Sequence, residues 1–154
     1  MNRMFYLCCA MGGALLAVGV TYFSSNPPEK GVTGGIPIMI AGIQGAPGDG
    51  NEALRTAFGV MLENAKIPRV DDLDDCALAV SAEISRERTG DNDRVSIIWQ
   101  LHDAKGHSLG EVALINEVPS GKLDLTWGTD ASLAARGARD GIVNIIRRQK
   151  PTCT

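Results

Sequence analysis

The sequence has 154 residues, a formal net charge of −3 and 21% charged residues, which suits a single globular domain. The slight acidity and the lack of a basic stripe argue against nucleic-acid binding, which depends on clustered Lys and Arg side chains. Aromatic residues make up 5% of the chain, too few for a platform that stacks bases or sugars.

The amino-terminal segment, residues 1–23 (MNRMFYLCCAMGGALLAVGVTYF), has Arg3 as its charged side chain and is apolar from there on. Roughly 20 apolar residues can cross a membrane as a helix, and a basic start before an apolar run is also typical of a cleaved signal peptide. Both interpretations place the rest of the chain outside the cytoplasm. Lipid attachment at Cys8 or Cys9 is disfavoured, because most of the apolar run follows these residues.

The rest of the chain divides by composition into a linker (24–35, rich in Ser, Pro and Gly), one domain (36–150) and a short tail (151–154). Outside the cytoplasm, Cys76 and Cys153 can form a disulfide bond, and two unrelated thiols are the alternative. Neither cysteine has the CxxC spacing of a zinc site, so we expect no metal ion there.

The first half of the domain predicts a strand, a loop and a helix. The strand covers residues 36–43 (IPIMIAGI), and a glycine-rich loop follows it. Apolar residues then recur at helical spacing from Leu54 to Ala65, and Pro68 ends the helix.

The second half predicts three alternating strands, at residues 77–85, 94–102 and 108–118, and a closing helix. Thr129 is the expected N-cap of that helix. Its glycines, Gly137 and Gly141, lower helix propensity but let a helix lie close to a sheet.

This order, β-α-β-β-β-α, predicts an α+β two-layer sandwich in which two helices cover one face of a four-stranded mixed sheet. The uncovered face is expected to be apolar and to bind a partner or a second copy. The residues predicted to contribute to this surface are Met39, Ile43, Ile98, Val112 and Leu114. Trp127 either packs against the last helix or serves as an anchor for the partner.

The glycine-rich loop, GAPGDG (45–50), resembles a phosphate-binding loop only superficially. The Lys and Ser or Thr of a Walker loop and the GxGxxG fingerprint are missing, so no nucleotide cofactor is expected. Asp49 and Glu52 would also repel a phosphate. We predict that they form a capping box, with Asp49 as the N-cap.

The remaining polar residues do not predict an active site. His102, Asp103 and His107 flank a turn without a third convincing metal ligand, and the acidic segment 71–75 lacks the glycine and distal Glu of an EF-hand loop. No catalytic serine motif is present. We therefore expect a protein that is not an enzyme.

The export segment, the strand IPIMIAGIQ, the loop, the helix EALRTAFGVMLENAKI, the three strands and the closing helix together resemble the lipopolysaccharide-assembly lipoprotein of the outer-membrane translocon. Similar small domains occur in the amino-terminal part of the Tol translocation protein and in outer-membrane activators of penicillin-binding proteins. The resemblance implies a non-enzymatic domain that faces the periplasm and assists an envelope protein, such as an outer-membrane β-barrel. The sequence departs from that family in lacking a lipobox. Two alternatives are a subunit of a membrane-anchored complex and a ligand-binding or hydrolytic domain that uses the glycine-rich loop.

Overall fold

The computed structural model describes residues 35–149. The predicted signal peptide or membrane helix (1–23), the linker up to residue 34, and the tail with Cys153 lie outside these residues, so the predictions for them are not tested. Within residues 35–149, no helix combines the length and the hydropathy that crossing a membrane requires.

The described residues form five strands and two helices. In chain order these are β1 (Ile38–Gln44), α1 (Gly50–Asn64), β2 (Arg69–Val70), β3 (Leu78–Thr89), β4 (Asn92–His102), β5 (Ser108–Pro119) and α2 (Gly128–Arg148). The strands make one sheet in the order β2-β1-β3-β4-β5. β1 is parallel to β2 and β3, whereas β3, β4 and β5 are antiparallel. The α+β class and the mixed sheet are confirmed, but the predicted count of four strands was wrong.

The additional strand, β2, is only two residues long. Arg69 and Val70 pair with Ile38 and Met39 of β1, and the Ile38 N–H donates to the Pro68 carbonyl at 2.8 Å. A two-residue strand is too short to show an alternation of apolar and polar residues. The sequence therefore shows the end of the helix at Pro68 but gives no sign of the strand that follows.

The hairpin of β3 and β4 is longer than predicted. Pairing continues as far as Thr89 and Asn92, so that Gly90 and Asp91 form a two-residue turn. Gly90 has a φ of 64°, a conformation that glycine adopts without the steric cost that other residues meet. The extension brings Asp93 into β4, on the same face as the predicted core residues of that strand.

The core lies between the sheet and the two helices, which cover the same face, as predicted. The rings of Phe58 in α1 and Trp99 in β4 stack with their centroids 4.4 Å apart. Other fully enclosed side chains come from both layers, including Leu54, Leu62, Val80, Leu101 and Ile142. The predicted packing of Trp99 in the core is confirmed.

A register shift between Ile40 and Gly42 changes the face on which the end of β1 lies. After the shift, Ile43 pairs with Ala82 and is buried with it beneath the helices. The prediction of Ile43 on the open face was wrong, because it assumed strict alternation. A β-bulge inserts one residue and reverses the alternation beyond it.

Helix α2 covers β5 closely. A methyl group added at Gly141 would lie 2.7 Å from Val112 Cγ2, and one added at Gly137 would lie 3.5 Å from Leu114 Cδ1. Val112 and Leu114 therefore face the helix, and their predicted place on the open face was wrong. Alternation separates the two faces of a strand, but it does not say which face the helices cover.

Candidate functional site

The open face of the sheet keeps two of the predicted partner-binding residues. Met39 alternates with the buried Ile38, and Ile98 lies between the buried Ile97 and Trp99, so both point away from the helices. Both are only partly buried. With Ile43, Val112 and Leu114 facing the helices, this face is less apolar than predicted.

Charged side chains surround the apolar residues of the open face. Cross-strand pairing places Glu87, Arg94 and Glu117 in one row of the sheet, and Arg94 Nη2 donates to Glu117 Oε1 at 3.0 Å. Glu83, opposite Ile98, and Glu111, opposite Gln100, lie further along the same face. The open face is therefore predominantly acidic around its apolar centre.

Trp127 does not lie at the surface as a partner anchor. Its side chain is 2% exposed, and its Nε1 donates a hydrogen bond to the Pro47 carbonyl at 3.1 Å. A methyl group at Gly50 would lie 2.4 Å from that nitrogen. Trp127 thus packs into the glycine-rich loop, and of the two interpretations offered by the sequence the structure supports packing.

The glycine-rich loop is bound to the segment that precedes α2. The Asp49 N–H donates to the Leu125 carbonyl at 3.1 Å, and the Gly50 N–H donates to the Pro47 carbonyl at 3.0 Å. A methyl group at Gly48, where φ is 59°, would lie 2.4 Å from the Leu125 oxygen. A phosphate-binding loop needs free backbone N–H groups, but here both of these groups already bind protein oxygens.

The Asp49 carboxylate stabilises the start of α2 and does not cap α1. Its Oδ1 accepts the Trp127 N–H at 2.8 Å, and α1 has no side-chain cap hydrogen bond. Asp49 does occupy the N-cap position of α1, as predicted, but the predicted capping box was wrong because its side chain makes no cap hydrogen bond to α1. Asp49 has φ −85° and ψ 4°, whereas an N-cap residue usually has extended dihedrals. Glu52 lies in the first turn of α1, where its charge still favours the positive helix end.

The N-cap prediction for Thr129 was also wrong. Helix α2 begins at Gly128, and Trp127, two residues before Thr129, occupies the N-cap position without a side-chain cap bond. Asp49, from the other end of the domain sequence, supplies the carboxylate that a local cap would have provided. Both helices begin at the same end of the sheet. Asp49 connects their starts, because it precedes α1 and its carboxylate binds Trp127, which precedes α2.

Asp93 is a buried carboxylate that the sequence analysis missed. Its side chain is 3% exposed and lies 3.4 Å from Arg88 Nε and 3.6 Å from Arg86 Nη1. It accepts the Ser120 hydroxyl at 3.0 Å and the Gly121 N–H at 3.2 Å. These bonds fasten the β3–β4 hairpin to the loop that leads into α2. The sequence did contain a signal for this burial, because Asp93 lies two residues before Val95 and so has the same place in the alternation as the inward-facing residues of β4.

The surroundings of Asp93 favour its charged form. Burial raises the pKa of Asp93, but the hydrogen bonds from Gly121, Ser120 and Arg88 and the charge of Arg86 outweigh burial and hold that pKa below its ordinary value. Arg86 also binds Asp124, and this hydrogen bond raises the pKa of Arg86. The cluster therefore joins β3, β4 and the loop before α2 through charged side chains.

Of the polar residues at the turn after β4, Asp103 and His107 contact each other. His107 Nδ1 lies 2.9 Å from Asp103 Oδ2, and Asp103 Oδ1 accepts the N–H groups of Lys105 and His107. The hydrogen bonds from His107, together with that from Lys105, hold the pKa of Asp103 below its ordinary value. His102 ends β4 and pairs with Ala79. In residues 35–149, no three His, Cys, Asp or Glu side chains are grouped so as to hold a metal ion.

The acidic segment 71–75 forms an exposed turn that leads to Cys76. Asp74 Oδ1 accepts the Cys76 N–H at 2.9 Å, which is a local turn interaction. Cys76 takes part in a disulfide bond. Its predicted partner, Cys153, lies outside the described residues, so this pairing stays a prediction.

A groove of about 570 Å³ runs between the two helices on the outer surface of the domain. Its apolar lining includes Ala57 and Met61, and Val60 at its side is 51% exposed. Arg136 and Glu52 also line it. The groove is open and of mixed character, without a cluster of polar groups aimed at one point.

Comparison with known proteins gives distant likenesses. No protein-family model matches the chain, and no curated protein matches it. Among solved structures, a minor lipoprotein from Acinetobacter baumannii is 13% identical with a TM-score of 0.40, the match covering 73% of this chain and 89% of that one. The PelC dodecamer from Paraburkholderia phytofirmans is 11% identical with a TM-score of 0.47, covering 75% and 92%.

An uncharacterized lipoprotein B from Nitrosomonas europaea is 13% identical with a TM-score of 0.37, and the match covers 80% of this chain and 90% of that one. Two of these three proteins are named as lipoproteins. Likenesses at this distance do not assign the chain to a family.

Proposed function

We propose that this chain is a non-enzymatic protein of the bacterial cell envelope that acts by binding a protein partner. The observation that carries the proposal is that carboxylates at the loop end of the domain, the end where both helices begin, bind groups of the protein itself. Asp49, Asp93 and Asp124 each bind a backbone N–H or an arginine of another segment. These carboxylates serve to hold loops in place, which supports a rigid binding domain more than a reaction centre.

The envelope location is supported by two further features. Residues 1–23 have the composition of an export segment, and Cys76 is disulfide-bonded. Disulfide bonds persist in the periplasm and in secreted proteins, whereas the cytoplasm reduces them. The partner is an envelope protein. A role beside an outer-membrane β-barrel in outer-membrane or lipopolysaccharide assembly is what the sequence resemblance suggests.

The alternative of a ligand-binding or hydrolytic domain is less well supported. The N–H groups of Asp49 and Gly50 in the glycine-rich loop already bind Leu125 and Pro47. Asp103 and His107 remain as an exposed acid–base pair on a turn. If they were catalytic, Asp103→Asn and His107→Ala would abolish the cellular function of the protein while leaving its partner bound.

Crosslinking in the source bacterium tests the proposal. The full chain, tagged at its carboxyl terminus, is crosslinked in intact cells, and the adducts are identified by mass spectrometry. We expect one discrete envelope protein, and the same adduct when that protein carries the tag. Sequencing the mature amino terminus shows whether residues 1–23 are cleaved or remain as the anchor of a membrane complex. A chain that stays in the cytoplasm, or that forms no adduct, would contradict the proposal.

A further inference from the structure

We infer that the outer edge of β5 binds an extended, basic segment of the partner, which joins the sheet as an additional strand. This inference rests on the proposed binding function and names its site. β5 is 12 residues long and pairs with β4 along its whole length. In the described part of the chain no strand pairs with its other edge.

The exposed edge is long and regular. The register with β4 is unbroken from Gly110 to Pro119, because its one shift lies at the other end of the strand. Every second residue of such a strand directs its N–H and C=O groups outward, where they can bond to another strand. Between Glu111 and Val118 the sequence has neither the Pro nor the Lys that commonly blunts an edge.

An apolar wall borders this edge on the side of α2. Val112 and Leu114 are half-buried beneath the helix, and Gly137 lies over Leu114. Leu133 is one helical turn before Gly137 on the same flank of α2, and it is 53% exposed. A strand added to β5 would therefore place every second side chain against this wall, so these positions of the partner should be apolar.

The other side of the edge is acidic. Ala113 and Ile115 lie between Glu111 and Glu117 on the open face, and Ile115 is 55% exposed. Glu83 and Glu87 extend the same sign of charge across the sheet, and Arg94 already binds Glu117. Opposite charges on directly facing residues stabilise strand pairing. The intervening positions of the partner strand should therefore carry Lys or Arg.

A second copy of this chain fits the edge less well. Two β5 strands can pair antiparallel with their open faces on the same side. When the pairing is centred on Leu114, Glu111 faces Glu117 twice, and like charges that face each other destabilise a sheet. When it is centred on Ala113, Glu111 faces Ile115 and Glu117 faces Leu109, so neither register gives these carboxylates an oppositely charged partner. Charge complementarity therefore favours a basic strand from another protein.

The test uses the purified full chain and two labelled ten-residue peptides, one alternating Lys with Val and the other alternating Glu with Val. Fluorescence anisotropy should show binding of the Lys–Val peptide at least about tenfold tighter than that of the Glu–Val peptide. Amide hydrogen exchange should slow within Ser108–Pro119 when the Lys–Val peptide binds. Glu111→Lys should weaken this binding about tenfold, whereas Glu63→Lys, the same charge change on an exposed position of α1, should leave it unchanged.

Equal weakening by both variants would overturn the inference, because it would show attraction to net charge alone. Protection outside β5, or equal binding of the two peptides, would also overturn it. So would a dimer, seen by sedimentation without peptide, whose protected amides lie in β5. If the Glu111→Lys chain still crosslinks to its partner in cells, the edge is not the site, but the proposed binding function stands. If no partner is found in cells, the proposed function fails first.

Discussion

Adding a methyl group at Gly141 and, separately, at Gly137 tests how closely α2 lies on β5. Both glycines are in the same helix, one turn apart, and each faces one aliphatic residue of the same strand. Replacing Gly by Ala inside a helix ordinarily stabilises a protein by about 0.8–1 kcal/mol. The two substitutions therefore have the same intrinsic benefit and differ only in the space available.

The distances decide the sign of each change. At Gly137 the new Cβ would lie 3.5 Å and 3.6 Å from the two methyl carbons of Leu114, an ordinary contact, so we expect a gain of about 1 kcal/mol in the free energy of unfolding. At Gly141 it would lie 2.7 Å and 3.1 Å from the methyl carbons of Val112. Val is branched at Cβ and cannot rotate both methyl groups away. Overpacking of this kind costs about 1–3 kcal/mol, which cancels or exceeds the benefit.

Urea unfolding of the purified chain measures both free energies at constant m-value. We expect Gly141→Ala to be about 1–3 kcal/mol less stable than Gly137→Ala. The double variant Gly141→Ala, Val112→Ala should show favourable coupling of similar size, since it removes the clashing methyl groups. Equal stability of the two single variants, or no coupling with Val112, would refute the close approach of the helix to β5.

Three further predictions concern the loop end of the domain. Asp49→Ala should lower the free energy of unfolding by about 1–2 kcal/mol, because Trp127 loses a charge-assisted hydrogen bond, while Glu52→Ala should change it by less than about 0.5 kcal/mol; chemical denaturation compares the two. The lowered pKa of Asp93 contributes stability that is present above its ordinary value of 3.8 and lost as the pH falls through the folded value. Acid unfolding of Asp93→Asn should therefore depend less on pH below about 4 than that of the wild type. Gly50→Ala should lower the thermal midpoint, since its Cβ would meet the Trp127 ring at 2.4 Å; an unchanged midpoint would contradict this packing.

The parts of the fold that could be predicted are those with a long periodic signal. Helix α1, with apolar residues from Leu54 to Met61 at helical spacing, lies where the pattern placed it, and so do the alternating strands β3 and β4 apart from their extension towards the turn at Gly90. The end of β1 could not be predicted in the same way, because the shift at Ile40 and Gly42 depends on pairing with β3. The face of β5 depended on contact with α2, which no single strand reveals.

The site residues show a similar division. The sequence predicted a structural purpose for the glycine-rich loop, because a carboxylate at Asp49 is unsuited to phosphate, and the structure bonds this loop to the segment before α2. It assigned the wrong helix to that carboxylate, since a capping motif is read from neighbouring residues and Asp49 binds Trp127, 78 residues away. Asp93 was missed for a simpler reason: the strand was predicted to begin at residue 94, which placed this inward-facing carboxylate in a turn.

The bond between Asp49 and Trp127 bears on the order in which the domain folds. β3, β4 and β5 are joined by short turns and pair in sequence, so they can form early during folding. β1 and α1 precede these strands in the sequence, but their loop contacts the segment before α2, and Trp127 is needed to fill the space beside Gly50. β1 and α1 should therefore become ordered last. Pulse-labelled amide exchange during refolding should find β3–β5 protected before α1. Until then the apolar side of α1 is exposed, and a folding helper in the compartment would have its longest opportunity to bind there.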